Sequence, residues 1–284
     1  MVLETVIVSA VSMGGIAAAL AIFLIFADSK LKVVTDPRID AVTDLLPGTN
    51  CGGCGVPGCN AFAEALIKGK ATPSDCVACD DDCVTDVAAF LGVEAGTKTR
   101  ILAVVLCKGG NAEAVQNATY RGEMSCTGAD TGGGGKGCVY GCLGLGECVS
   151  SCDFGAMAMD DNGLPVVFYD KCVGCGACAE ACPRDLIELH PEDKKLFVYC
   201  KNKDKGPKAK KVCKVACIAC TLCVKDCEVE GGITMVNNLA EINFDIDALG
   251  ADAIKRCPTK CILFDVEKDV TKERFESAHR GRAV

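Results

Sequence analysis

Four cysteines at Cys172-x2-Cys175-x2-Cys178-x3-Cys182, followed at once by Pro183, form the most chemically specific pattern in this sequence. Three thiolates so closely spaced wrap three irons of one cubane cluster. The fourth, turned outward at a proline-fixed start of a helix or turn, reaches a neighbouring cubane. Zinc uses paired cysteines and gains nothing from a third at this spacing with a trailing Cys-Pro. Upstream, Cys138, Cys142, Cys148 and Cys152 supply the remaining ligands. The exchanged arrangement assigns Cys172, Cys175, Cys178 and Cys152 to one [4Fe–4S] cluster, and Cys138, Cys142, Cys148 and Cys182 to another.

The pattern recurs. Cys217-x2-Cys220-x2-Cys223-x3-Cys227 repeats the spacing without its proline, and Cys257-Pro258 offers the exchanged fourth ligand. One split takes Cys217, Cys220, Cys223 and Cys257, leaving Cys200, Cys213, Cys227 and Cys261 for a second cluster. A further group, Cys51-x2-Cys54-x4-Cys59-x16-Cys76, lies among Gly52, Gly53, Gly55 and Gly58, which let the backbone turn N–H groups toward sulfur. These 20 cysteines make five [4Fe–4S] clusters; Cys79 and Cys83 read as incidental buried thiols, and Cys107 and Cys126 stay open as parts of a sixth. On spacing alone, zinc remains an alternative for the Cys51 group.

Composition agrees. A chain of 284 residues with 24 Cys, 2 His and no Trp is too long for a small secreted disulfide scaffold. With 5% aromatics its cores are thin, so cofactor binding must supply part of the folding free energy. A net charge of −8 argues against nucleic acid as a partner. His190 and His279 stand apart from any triad pattern and are expected at the surface, and Gly141, Gly144 and Gly146 lack dinucleotide spacing. No NAD or flavin site is therefore expected in this chain.

The elements that position these groups follow from punctuation and periodicity. Thr5 to Ala27 is uncharged and apolar, long enough to span a bilayer, with Lys30, Lys32 and Arg38 on its C-terminal flank. That asymmetry predicts a single-pass anchor in the cell membrane with the cysteine-rich body on the cytoplasmic side. Helices are expected over 61–68, 81–90 and 248–255, and a strand over 101–106. Asp161-Asn162-Gly163 and Asn237-Asn238 mark hairpin turns, and Asp130 to Gly137 reads as flexible loop. VLCKG at 105–109 echoes VYCKN at 198–202, and the x3, x5, x3 spacing of Cys138 to Cys152 recurs in Cys213 to Cys227. Both point to internal duplication. The expected class is α+β: anchor 1–28, four-cysteine domain 29–93, ferredoxin-like two-cluster modules 94–192 and 193–266, and a polar tail 267–284.

With CGGCGVPGC followed by Cys76, then CVGCGACAEACP and KRCPTKC, the chain resembles the B subunit family of Rnf complexes. The resemblance implies an electron-relay subunit of a membrane-bound ferredoxin:NAD⁺ oxidoreductase coupled to Na⁺ or H⁺ transport. It implies that electrons arrive from reduced ferredoxin and pass to other subunits, one of which holds the flavin and NAD site. Alternatives from other classes are an iron–sulfur subunit of a different membrane reductase and a colourless zinc-binding structural protein. Nine lysines lie between Lys194 and Lys214, opposed by Asp204, which reads either as a solvated loop or as a steering surface for an acidic donor protein.

Overall fold

The structure is a computed structural model and describes residues 2–31, 36–246, 254–264, 274, 276 and 278. Helix α1 (Val2–Leu31) is followed by a small helical unit of α2 (Pro37–Leu45), α3 (Cys59–Ile67) and α4 (Asp81–Leu91). Asp36 caps α2, with Pro37 at its first position, and Asp80 caps α4 through the N–H of Cys83. Among the described residues no helix is long and apolar enough to cross a membrane. In α1 the described side chains are Ile7 and those of 13–27. Their large apolar members, from Ile7 at 54% to Met13 at 74%, are exposed.

The rest of the chain is built twice on one plan. Strand β1 (Ile101–Val105) pairs antiparallel with β4 (Ile187–Pro191), enclosing the hairpin of β2 (Met157–Met159) and β3 (Pro165–Val167). Strand β5 (Leu196–Val198) pairs with β8 (Ile262–Phe264), enclosing β6 (Ile233–Val236) and β7 (Leu239–Ile242). Short helices carry or flank some of the cysteines between strands: α5 (Cys126–Thr131), α6 (Glu147–Ser150), α7 (Ala177–Glu180), α8 (Pro207–Val212) and α9 (Leu222–Asp226). The second hairpin turns at Asn237 and Asn238 with φ of 48° and 66°, a left-handed pair that asparagine tolerates.

Cysteines form part of the packing. One core joins Leu102, Met157, Val167 and Ile187 to Cys148, Cys172 and Cys178; another joins Leu196, Ile233 and Ile262 to Cys200, Cys213, Cys217, Cys223 and Cys261. Between the two repeats, Val104 and Leu106 pack on Phe197 and Tyr199, so the residues just before Cys107 and Cys200 face one another.

Three expectations are corrected. His190 is not a surface residue: it is 9% exposed, with its ring 4.3 Å from that of Phe244 and 5.0 Å from that of Phe197. Its Nε2 lies 3.0 Å from Glu188 Oε2, and this contact first, then Lys201, holds the Glu188 carboxyl down at about 2. The 130–137 stretch is not a free linker. It folds inward to bury Lys136, and a Cβ on Gly135 would lie 2.3 Å from the Ala118 carbonyl oxygen. Cys79 and Cys83 are not incidental thiols but are joined as a disulfide. His279 and most of the helix expected over 248–255 lie outside the described residues. In the expected tail, Ala278 is buried against Val166 and Phe168, and Arg274 Nε donates to Asp160 at 2.6 Å.

Candidate functional site

In the N-terminal unit, α3 begins at Cys59, whose N–H donates to Asn50 Oδ1 at 2.8 Å, and Cys76 follows the 3-10 turn Pro73–Asp75. Burial raises the Cys76 thiol pKa, N–H groups of Cys79 and Ala78 pull it back, and the charges of Cys54 and Cys59 add to the rise. Burial also raises the Cys175 thiol, and Cys51 is close enough for its charge to add to that rise. The loops also touch: a Cβ on Gly53 would fall 3.0 Å from Cys175 Cα and 2.5 Å from Val77 Cγ2.

The structure brings together Cys152, Cys172, Cys175 and Cys178. Burial pushes the Cys178 thiol to about 12, with the charges of Cys172, Cys175 and Cys152 adding to the shift. The N–H of Ala156 donates to Cys152 Sγ at 3.3 Å.

The group expected from Cys138, Cys142, Cys148 and Cys182 is drawn differently. A pocket is lined by Cys142, Cys148 and Cys182, with Cys126 as the fourth sulfur. Burial and then the charges of Cys142, Cys182, Cys126 and Cys178 raise the Cys148 thiol strongly. The physical reason lies in the motif. Leu145 stands where Cys175 and Cys220 stand in the two complete x2, x2 runs, so the middle sulfur must come from elsewhere. Helix α5, capped by Ser125 and tied through Thr127 N–H to Glu147 Oε2 at 2.8 Å, delivers Cys126 there. The leucine gap was visible in the sequence.

Cys138 instead faces Cys107, Cys200 and Cys213 around a second pocket. Cys227 and Cys261, expected to share a cluster with Cys200 and Cys213, do not line this pocket, although all four belong to one packed core. The last group comprises Cys217, Cys220, Cys223, Cys257 and Cys261. The Cys261 and Cys257 sulfurs lie 3.8 Å apart, and hydrogen bonds from Cys261 lower Cys257 to about 4 and Cys217 to about 6 while Cys261 itself is raised. Burial and then the charge of Cys217 raise Cys223 to about 11. The Cys227 thiol donates to the Val229 carbonyl at 3.3 Å.

Two buried cations serve this region. Lys136 Nζ donates to the carbonyls of Gly109 at 2.7 Å and Cys142 at 2.6 Å. Arg184, next to Pro183, donates to Asp130 Oδ1 at 2.6 Å, the Gly141 carbonyl at 2.6 Å and the Cys138 carbonyl at 3.2 Å. Among the described residues no three His, Cys, Asp or Glu side chains are grouped as a single metal ion would hold them. The thiols stand around cavities, with backbone N–H groups aimed at sulfur. That donor set and spacing fit clusters, whose irons are spread over a volume.

Comparison with known proteins agrees with this chemistry. A family described as an Fe-S cluster matches residues 46–78, and a family described as a 4Fe-4S binding domain matches 165–188. The chain is 41% identical over 245 residues, 86% of its length, to the B subunit of the Na⁺-translocating ferredoxin:NAD⁺ oxidoreductase complex of Acetobacterium woodii, covering 73% of that protein. It is 36% identical to the B subunit of the ion-translocating oxidoreductase complex of Methanosarcina acetivorans, over 92% of this chain and 99% of that one. With the B subunit of the proton-translocating ferredoxin:NAD⁺ oxidoreductase complex of Clostridium ljungdahlii it shares 39% identity, over 92% of this chain and 93% of that one.

Proposed function

Because the chain belongs to the B subunit family of ion-translocating ferredoxin:NAD⁺ oxidoreductase complexes, we propose that it is the iron–sulfur electron-transfer subunit of such a complex. The observation that carries this reading is the run of buried and half-buried cysteine groups, each beside the next. Cys51 neighbours Cys175, Cys178 neighbours Cys148, Cys107 accepts the Cys142 N–H at 3.4 Å, and Cys200 accepts the Cys217 N–H at 3.3 Å.

[4Fe–4S] clusters supply one-electron chemistry that no side chain here offers. The protein supplies their ligands and environment. Cys51, Cys54, Cys59 and Cys76 would hold one cluster, and Cys152, Cys172, Cys175 and Cys178 another. Amide donors to sulfur stabilise the reduced, more negative form, and burial keeps water away. Nothing in the sequence supplies a dinucleotide fingerprint, so NAD and flavin chemistry belongs to partner subunits in this reading. Reduced ferredoxin is the proposed donor. The proposed docking surface is the lysine-rich segment around α8, where Lys203, Lys205, Lys208, Lys210, Lys211 and Lys214 are exposed.

Helix α1 is the proposed anchor in the cell membrane, with the body on the cytoplasmic face. Its 30 residues extend about 45 Å, and its exposed side chains from Met13 to Phe26 suit lipid better than water.

Iron, zinc and acid-labile sulfide measured on anaerobically purified chain, with and without residues 1–28, test the whole reading. Expected are about 20 Fe per chain in both forms. The full chain should partition with membranes and the shortened one should be soluble. A colourless, zinc-loaded protein would overturn the electron-transfer role; membrane association of the shortened form would overturn the anchor.

A further inference from the structure

We propose that Cys107, Cys138, Cys200 and Cys213 together hold a [4Fe–4S] cluster in the seam between the two repeats, two ligands from each. The proposal rests on the cluster-bearing reading above and adds a site that neither repeat could build alone.

The geometry begins with the four sulfurs lining one pocket. They come from equivalent places. Cys107 follows β1 in VLCKG, as Cys200 follows β5 in VYCKN; Cys138 precedes Cys142 by the x3 spacing that separates Cys213 from Cys217. Duplication has thus given each repeat one cysteine after its first strand and one before its cluster motif, and packing places the two pairs face to face. The apolar contact of Val104 and Leu106 with Phe197 and Tyr199 brings the strand ends together. The isolated bridge from Ala114 to Cys213 and the Val115 N–H bond to the Val212 carbonyl at 2.9 Å fix the other side.

The surroundings match what an anionic sulfur-rich group requires. Cys107 Sγ accepts from Cys142 N–H, and Cys200 Sγ accepts from the N–H groups of Asn202 at 3.4 Å and Cys217 at 3.3 Å. Asn202, 1% exposed, also aims its side-chain amide at Cys138 Sγ, 3.6 Å away. A buried asparagine directing a donor at sulfur is costly unless that sulfur carries charge. Lys136, 6% exposed, gives its ammonium only neutral carbonyls among the described hydrogen bonds. A buried cation without a counter-charge costs several kcal/mol. A thiolate-bound cluster beside the carbonyls of Gly109 and Cys142 supplies that charge. Gly109 itself leaves room, since a Cβ there would sit 2.8 Å from Cys213 Sγ.

The test uses the full chain, purified anaerobically. Cys107→Ala combined with Cys213→Ala should lower iron by about four per chain, or convert one cluster to a three-iron form, leaving the other reduced-state EPR signals in place. Unchanged iron overturns the site, as does zinc recovered in the unsubstituted chain in place of four of the irons. Loss of the signals of both neighbouring groups along with this one would mean only that the double variant misfolds, and Asn202→Leu then decides. It should keep all iron and lower the midpoint potential of one EPR signal, because a donor to sulfur is gone. If no signal shifts, the proposal is wrong. A wild-type chain without iron would instead fail the electron-transfer reading itself.

Discussion

At the scale of single residues, the buried cations matter as much as the cysteines. Arg184 is 6% exposed at its side chain and ties the Cys182-Pro183 turn to Asp130 and to the carbonyls of Cys138 and Gly141. Arg184→Met would strand those acceptors, at a cost of about 2–4 kcal/mol. Denaturant unfolding followed at the cluster absorbance should show it. Asp130→Asn should cost under about 1 kcal/mol, because Asp130 is 38% exposed and water replaces much of the pair. Equal losses from both changes would mean that the ion pair, and not the carbonyl clamp, is what Arg184 contributes. Such roles are hard to read from sequence. Lys136 in a glycine run looks like solvated loop, and only the fold of Gly133 to Gly135 through positive φ turns it inward.

At the scale of elements, legibility follows sequence distance. Helices at 59–67 and 81–91, the strand at 101–105 and both hairpins are local, set by periodicity, caps and Asn-rich turns, and the sequence announces them. The closing pairs β1–β4 and β5–β8 join segments far apart in the chain, with no turn between them to reveal the partner. Those pairings decide which cysteines meet. Hence Cys172, Cys175 and Cys178 were legible as a group, while the company kept by Cys107, Cys126 and Cys138 was not. Close packing between units is also testable. Gly53→Val would drive a side chain against Val77 and Cys175, costing about 1–3 kcal/mol and easing the two loops apart. Iron content should hold, while magnetic broadening between the two nearest reduced clusters should weaken in EPR. Intact broadening with full iron would show that the loops can absorb the side chain without separating.

For the whole molecule, charge is distributed against the average. The chain is acidic, yet exposed lysines gather on and around α8, whose C-cap is Cys213. Some are already engaged: Lys208 lies 2.6 Å from Asp204, Lys201 pairs with Glu188, and Lys194 lies 4.0 Å from Asp193. Those left over face solvent within reach of an approaching acidic protein. Lys208→Glu, Lys210→Glu and Lys211→Glu together should slow reduction by ferredoxin several-fold and flatten its ionic-strength dependence. Reduction by a small neutral dye should not change. Equal slowing with both reductants would indicate damage to the protein, and no slowing with ferredoxin would put the donor elsewhere, near Cys51.

The nesting of each hairpin inside its closing strand pair also sets a timetable for biosynthesis. The N-terminal cysteines Cys51 to Cys76 leave the ribosome as one short segment, so a cluster proposed there can be loaded while translation continues. The first repeat cannot close until Ile187 to Pro191 has been made, nor the second until Ile262 to Phe264. Cys107, meanwhile, must wait for Cys200 and Cys213. A nascent chain therefore carries open thiols through most of its synthesis, and its maturation is ordered from the N-terminal end onward, with the seam among the last places to be sealed.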